Sequence, residues 1–151
     1  MPSRTARDPT LGPIRTLDMS EHAMTFVDDY RAGACNIGPA EIARRRLAGH
    51  LGAAVTVVMA ALLVWTEAPT WMRLALFFPA AGSAAGYIQA ATRFCADYGW
   101  RGVFNFGEAG HSRAQSVADI AARRADRRKA LAIGAASAAV GLAVALASLG
   151  L

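Results

Sequence analysis

Lysine is almost missing from this chain: of its 16 basic residues only Lys129 is not an arginine. Arginine in place of lysine, together with abundant alanine, is the compositional habit of a high-GC bacterial genome. Cysteine is scarce as well. The two present, Cys35 and Cys95, form no CxxC pair, so the sequence carries neither a disulfide scaffold nor a strongly spaced metal motif. GxSxG, HExxH, a phosphate-binding loop and a Rossmann glycine pattern are all missing, which removes the common signatures of soluble catalysis. Residues 1 to 30 contain no apolar run of the signal-peptide kind, so membrane insertion is expected to begin further along. Most informative is the absence of charge from three long stretches.

Hydrophobic residues make up 54% of the 151 residues and mean hydropathy is positive, a composition that points to the membrane class. Leu47 to Thr66 contains one potentially charged residue, His50. Leu74 to Thr92, between Arg73 and Arg93, contains no charged residue, and neither does Ala130 to Leu151. Each stretch is about 20 residues, the length that carries a helix across roughly 30 Å of hydrocarbon. Too little polar chain remains to cover three such helices inside a soluble domain. The expected fold is an all-α membrane protein with three transmembrane helices at about 47–66, 72–92 and 130–151. A polar arm over 1–34 precedes this membrane domain of 35–151, and a connection over 93–129 joins the second and third spans.

Charge sets the expected orientation. Arg44, Arg45 and Arg46 stand before the first span, and Arg93, Arg101, Arg113, Arg123, Arg124, Arg127, Arg128 and Lys129 lie between the second and third. The link between the first two spans offers only Arg73. Basic residues near a span are retained in the cytoplasm, so the reading is N-terminus inside and C-terminus outside, in a bacterial cytoplasmic membrane. The arginine triplet reads as such an anchor and not as a twin-arginine export signal. Arg44, Arg45, Arg46, Arg123, Arg124, Arg127, Arg128 and Lys129 are expected to face anionic lipid headgroups. No aromatics interleave with Arg123 to Lys129, so nucleic acid is not an expected partner.

Local signals fill in the rest. Pro and Gly in residues 1 to 20 predict an extended arm, and Met24, Val27 and Tyr30 recur at helical spacing within Glu21 to Arg31, predicting a short amphipathic helix. Gly38-Pro39-Ala40-Glu41 is a helix start, with Pro39 in the first turn and Glu41 at the positive end of the helix dipole. A helix begun there is expected to run through Arg46 into the first span. Glu67 to Thr70 predicts a tight turn flanked by Trp65 and Trp71 at headgroup level. Pro79 predicts a kink. Arg93 to Ser112, aromatic and glycine-broken, is expected to lie along the cytoplasmic surface, with rings in the headgroups or against the N-terminal arm. Ser112 is the expected cap of a helix running into the third span. Gly82 with Gly86, and Ser137, Gly141 and Ala145, form small-xxx-small stripes for helix packing within the chain or against a partner.

Candidate chemistry is sparse. The expected topology brings Cys35 and Cys95 near the cytoplasmic face, where with His50 and His111 they form a candidate metal cluster, or by themselves a thiol redox pair. The spans hold no carboxylate or lysine, so a small transporter or channel is expected only as an oligomer. Cys35-Asn36-Ile37-Gly38-Pro39-Ala40-Glu41-Ile42 and Phe94-Cys95-Ala96-Asp97-Tyr98-Gly99, with Phe104-Asn105-Phe106-Gly107, resemble segments of small uncharacterised bacterial membrane proteins. That resemblance spans residues 35 to 107 and implies no activity. The expected function is therefore a non-catalytic accessory or assembly subunit of a bacterial membrane complex. Its partners are lipid and a membrane protein or a second copy, with no cofactor favoured; the thiol or metal centre and the transporter are the alternatives.

Overall fold

The computed structural model describes residues 30–110 and 114–150. Its elements in chain order are helix α1 (Pro39–Trp65), a 3-10 helix (Thr70–Leu76), α2 (Phe77–Thr92), the short α3 (Ala96–Arg101), strands β1 (Val103–Phe104) and β2 (Gln115–Ser116), and α4 (Ile120–Ala147), ending in a 3-10 turn at Ser148–Gly150. Three helical segments, Pro39–Trp65, Thr70–Thr92 and Ile120–Gly150, are long and apolar enough to cross a membrane. The amphipathic helix expected at Glu21 to Arg31 lies outside the described residues except at Tyr30 and Arg31.

Helix α1 starts where the sequence places it. Gly38 is extended, Pro39 opens the first turn, and nothing in the following 27 residues breaks the helix. At ~1.5 Å per residue it is about 40 Å long, so the turns before Leu47 project beyond a hydrocarbon layer of about 30 Å. Its end is closed by the backbone N–H groups of Thr66, Glu67 and Ala68 on the carbonyls of Leu62, Val64 and Leu63. Glu67 takes the left-handed conformation, φ 52°, that reverses the chain.

Pro79 acts through helix type. It sits in the first turn of α2, where its missing N–H leaves no bond broken, and the seven residues before Phe77 run as 3-10 helix instead. The longer 3-10 rise of about 2.0 Å per residue also extends the reach of this 23-residue segment.

The second of these apolar segments lies between the other two, packing against α1 on one side and α4 on the other. Lipid gives apolar helices no hydrophobic reason to associate, so contact depends on small residues that let backbones meet. A Cβ on Gly86 would fall 2.5 Å from the Gly49 nitrogen, and one on Gly52 would fall 2.8 Å from that of Ser83. The Ser83 hydroxyl donates to the Gly49 carbonyl at 2.8 Å, and the Tyr87 hydroxyl meets His50 Nδ1 at 2.7 Å. Across the other interface Gly141 lies against Phe77 and Ala81. Ser137, Gly141 and Ala145 belong to one buried stripe of α4 that begins at Asp126 and continues through Ala130 and Ile133. Of the Gly82/Gly86 pair, Gly86 makes the contact within the chain, whereas among the described residues nothing comes within 4 Å of a Cβ on Gly82.

Two further expectations are corrected at the charged end. Between Arg93 and Gly110 four of the five aromatic rings turn inward, and Trp100 is exposed. Phe94, Tyr98, Phe104 and Phe106 are buried in a small head built on the end of the bundle, where β1 pairs antiparallel with β2 and Ile37 bridges Asn105 in parallel. Tyr30 does stack on Phe104, ring centroids 4.9 Å apart, so one ring meets the end of the arm. Ser112 lies outside the described residues, and the last helix is capped by Asp119, whose carboxylate accepts from the N–H groups of Ala121 and Ala122.

Gly86→Val is expected to destabilise the bundle by about 1–3 kcal/mol, because the new methyls meet backbone. Gly82→Val should stay within about 0.5 kcal/mol of the parent. Unfolding in detergent micelles measures both, and equal losses would contradict the packing described.

Candidate functional site

The head is organised by side chains that stand in for backbone. Asn36 lies in the extended run before α1 and is fully buried. Its side-chain oxygen accepts from the Cys95 N–H at 2.7 Å, and its side-chain nitrogen donates to the Cys95 carbonyl at 3.1 Å. Its own N–H reaches the Arg93 carbonyl, and its carbonyl accepts from Asn105. Asn105 is buried too, and folds its loop over itself: the amide nitrogen donates to the carbonyls of Glu108 and Gly110, and the oxygen accepts from the Gly107 N–H. Gly38 must stay bare, since a Cβ there would sit 2.5 Å from the Phe106 carbonyl oxygen.

One turn into α1, the buried Glu41 carboxylate accepts from the Tyr98 hydroxyl at 2.9 Å and the Gly110 N–H at 2.8 Å. Arg45 closes the group, with Nη2 3.6 Å from Glu41 Oε2 and 3.0 Å from the Cys95 sulfur. Arg44 approaches the same carboxylate at 3.9 Å but is largely exposed, so it adds little. Burial pushes the Cys95 thiol above its usual range, outweighing the Arg45 guanidinium and the N–H groups that pull the other way. The Tyr98 phenol is likewise raised, by burial first and then by its bond to Glu41. A protonated, fully buried thiol is a poor nucleophile, so Cys95 is built for packing and hydrogen bonding.

A second buried carboxylate anchors the segment before Asn36. Asp126 accepts from the Tyr30 hydroxyl and the Gly33 N–H, each at 2.7 Å, and Gly33 adopts φ +68° against Ala125 to make the turn. The Tyr30 phenol is held far above its usual range by burial and by Asp126.

The candidate ligands are distributed among these parts. Cys35 packs on the Phe104, Phe106 and Val117 cluster, with its sulfur facing the Ile37 carbonyl, whereas Cys95 belongs to the cluster of Ile37 and Tyr98. Both cysteines are free. His50 is engaged by Tyr87, and His111 lies outside the described residues. Among the described residues no group of three or more His, Cys, Asp and Glu side chains is placed to hold a metal. Of the arginines expected to face lipid, Arg45 turns inward to Glu41, and Arg123 donates to the Val117 carbonyl and the Ser116 hydroxyl, pinning β2. Arg127 lies over the Trp100 ring, 5.9 Å from its centroid.

Sequence reasoning overlooked Asn36, Asn105, Tyr98 and Asp126 as anchors. Asp126 left a signal: it stands in phase with Ala130, Ile133 and Ser137, the one acid on the buried stripe of α4.

Asn36→Ala strands the buried N–H and carbonyl of Cys95, each costing about 1–3 kcal/mol, and Asn36→Asp should lose at least as much, because it buries a carboxylate and sets its oxygen against the Cys95 carbonyl. Detergent unfolding reads the order, and an unaltered Asn36→Ala protein would contradict the clamp. The head also predicts a pH response. The folded chain holds the Cys95, Tyr98 and Tyr30 protons more tightly than the unfolded chain, so their contribution is full below about pH 9 and is lost as pH rises past roughly 9 to 10. Tyr98→Phe should flatten that decline in a melting-temperature series; an unchanged slope would contradict the assignment.

No protein-family profile, curated protein or solved structure matches this chain, and any function therefore rests on its own geometry.

Proposed function

We propose that the chain is a non-catalytic accessory or assembly subunit of a bacterial cytoplasmic-membrane complex, with its N-terminus and head in the cytoplasm. The observation that carries this reading is a division of surfaces. The polar side chains of the spans are taken up within the chain: Thr56 on the Gly52 carbonyl, Ser83 on Gly49, Tyr87 on His50, Gln89 between Ala85 and Ala96, Ser137 on Ile133, and Ser148 on Ala145. What the spans leave outward is apolar, and on α4 part of it is small. Leu131, Gly134, Ala135 and Ala138 form a shallow apolar groove of about 460 Å³ beneath Trp100, and nothing in the chain lies within 4 Å of a Cβ on Gly134. A bare helix backbone is the surface on which another helix packs closely in lipid.

Charge and aromatic placement support the orientation. Of the described basic residues only Arg73 stands at the far end, where it donates to the Ser148 carbonyl and complements the negative end of α4. Trp65 and Trp71, both exposed, lie at that same end, as expected of a headgroup belt. A thiol centre gains no support from a buried, protonated Cys95, nor a transport path from polar groups that already have partners.

Mild-detergent purification of the tagged chain is expected to bring down a membrane partner in stoichiometric amount. Gly134→Leu should reduce that recovery at least severalfold without lowering the melting temperature, because its Cβ meets none of the described residues and the rest of the side chain enters an open groove. A lone monodisperse monomer, or full recovery with Gly134→Leu, would sink the proposal. A periplasm-dependent reporter is expected to be active after Leu151 and silent at Met1; the reverse result would overturn the orientation.

A further inference from the structure

Where α1 begins and α2 ends, the two helices and the Arg31–Cys35 turn enclose a half-open groove of about 900 Å³. Arg31, Arg46 and Arg93 line it, and among the described residues no carboxylate does. Apart from Thr92 the other lining residues are apolar or small, among them Ile37, Ile42 and Phe106. Among the described residues the guanidinium groups of these three arginines have no hydrogen-bond or ion-pair partner, unlike Arg45, Arg73, Arg101 and Arg123, which all have one. Arg93 is also held at φ 52° as the C-cap of α2, a left-handed position where glycine is the ordinary residue. An arginine at that position is better explained by what its side chain does than by what its backbone needs.

Position selects the ligand. Arg46 directly precedes the apolar run that begins at Leu47, and Arg93 directly follows Thr92, so the groove opens at the ends of two membrane-crossing segments. Taking those segments as spans, we infer that the groove is a binding site for one anionic phospholipid, its phosphate among Arg31, Arg46 and Arg93 and its upper chain against Ile42 and Phe106. Guanidinium forks match phosphate geometry, and a cluster of them beside hydrocarbon both attracts and orients an anionic headgroup.

Cys35 reports on the site, because it lines the groove and is partly exposed whereas Cys95 is fully buried. The full chain is reconstituted in discs of phosphatidylcholine, with or without phosphatidylglycerol, and alkylation of Cys35 by an uncharged maleimide is timed. Phosphatidylglycerol should slow the reaction severalfold. Arg93→Gln and Arg46→Gln should each weaken that protection roughly fivefold, and Arg44→Gln, which lies outside the groove, should leave it unchanged. Arg93→Gly separates role from fold: protection should be lost while the melting temperature holds or rises. Protection that persists in Arg93→Gln and Arg93→Gly would overturn the site. Equal protection by inorganic phosphate in phosphatidylcholine discs would overturn it in favour of a soluble anion. Slow labelling in phosphatidylcholine alone, relieved by deleting residues 1–29 with their acids Asp8, Asp18, Glu21, Asp28 and Asp29, would overturn it in favour of the chain's own terminus. Partner capture through Gly134 is read separately, so the two proposals fail independently.

Discussion

The Asn36 side chain, bonded twice to the Cys95 backbone, fixes where α1 begins relative to where α2 ends. Apolar helices in lipid slide past one another at little cost unless something sets their register. Inside the spans the close approach of Gly49 and Gly52 to Ser83 and Gly86 allows contact, yet small smooth surfaces tolerate displacement. A buried amide that matches one residue's N–H and carbonyl together does not, because a shift of one position leaves both groups without water or partner. Glu41 then locks the rotation of α1 by taking up Tyr98 and Gly110, and Asp126 ties α4 to the same end through Tyr30 and Gly33. Three helices are thereby joined at one end by polar groups excluded from solvent, and along their length by small residues.

What could be read from the sequence follows from this division. The spans, the start of α1 at Pro39 and the turn after Trp65 are local signals, written in runs of apolar residues and in Pro and Gly placement. The head is not local. Asn36 and Cys95 are 59 positions apart, and Tyr30 and Asp126 are 96 apart. No periodicity connects such residues. The two segments set apart as motif-like, 35–42 and 94–107, turn out to be the two that bind each other. Their glycines, asparagines and aromatics are what close backbone packing and side-chain substitution for backbone require, which is why they stand out among alanine and leucine. Gly49 and Gly52, a pair three apart, fall outside the small-xxx-small spacing, and spacing alone does not say which way the helix carrying Gly82 and Gly86 faces.

The arginines divide on physical grounds that the sequence obscures. A run of basic residues looks uniform, but a guanidinium can reach several ångströms to a carbonyl, a carboxylate or a sulfur when the fold leaves one unmet. Arg45, Arg73 and Arg123 do so, at Glu41 and Cys95, at the end of α4, and at the Val117 carbonyl. These have become parts of the structure. Arg31, Arg46 and Arg93 share a groove that no carboxylate lines among the described residues. Positive charge gathered without a counterion among those residues attracts an external anion, which is the premise of the lipid site inferred above.

Clamp and groove are also one piece of backbone. The carbonyl of Arg93 accepts the N–H of Asn36, and Gly38, which lines the groove, donates to the Asn105 carbonyl. The left-handed turn at Arg93 therefore serves two ends: it delivers the carbonyl to Asn36 and it places the side chain on the groove. Neither end requires arginine by itself, since glycine would deliver the same carbonyl with less strain. The strain is tolerated because the surrounding hydrogen bonds over-determine the backbone at that point. An anion drawing Arg31, Arg46 and Arg93 together would tighten the same junction that Asn36 closes from inside, coupling occupancy of the groove to the register of α1 on α2.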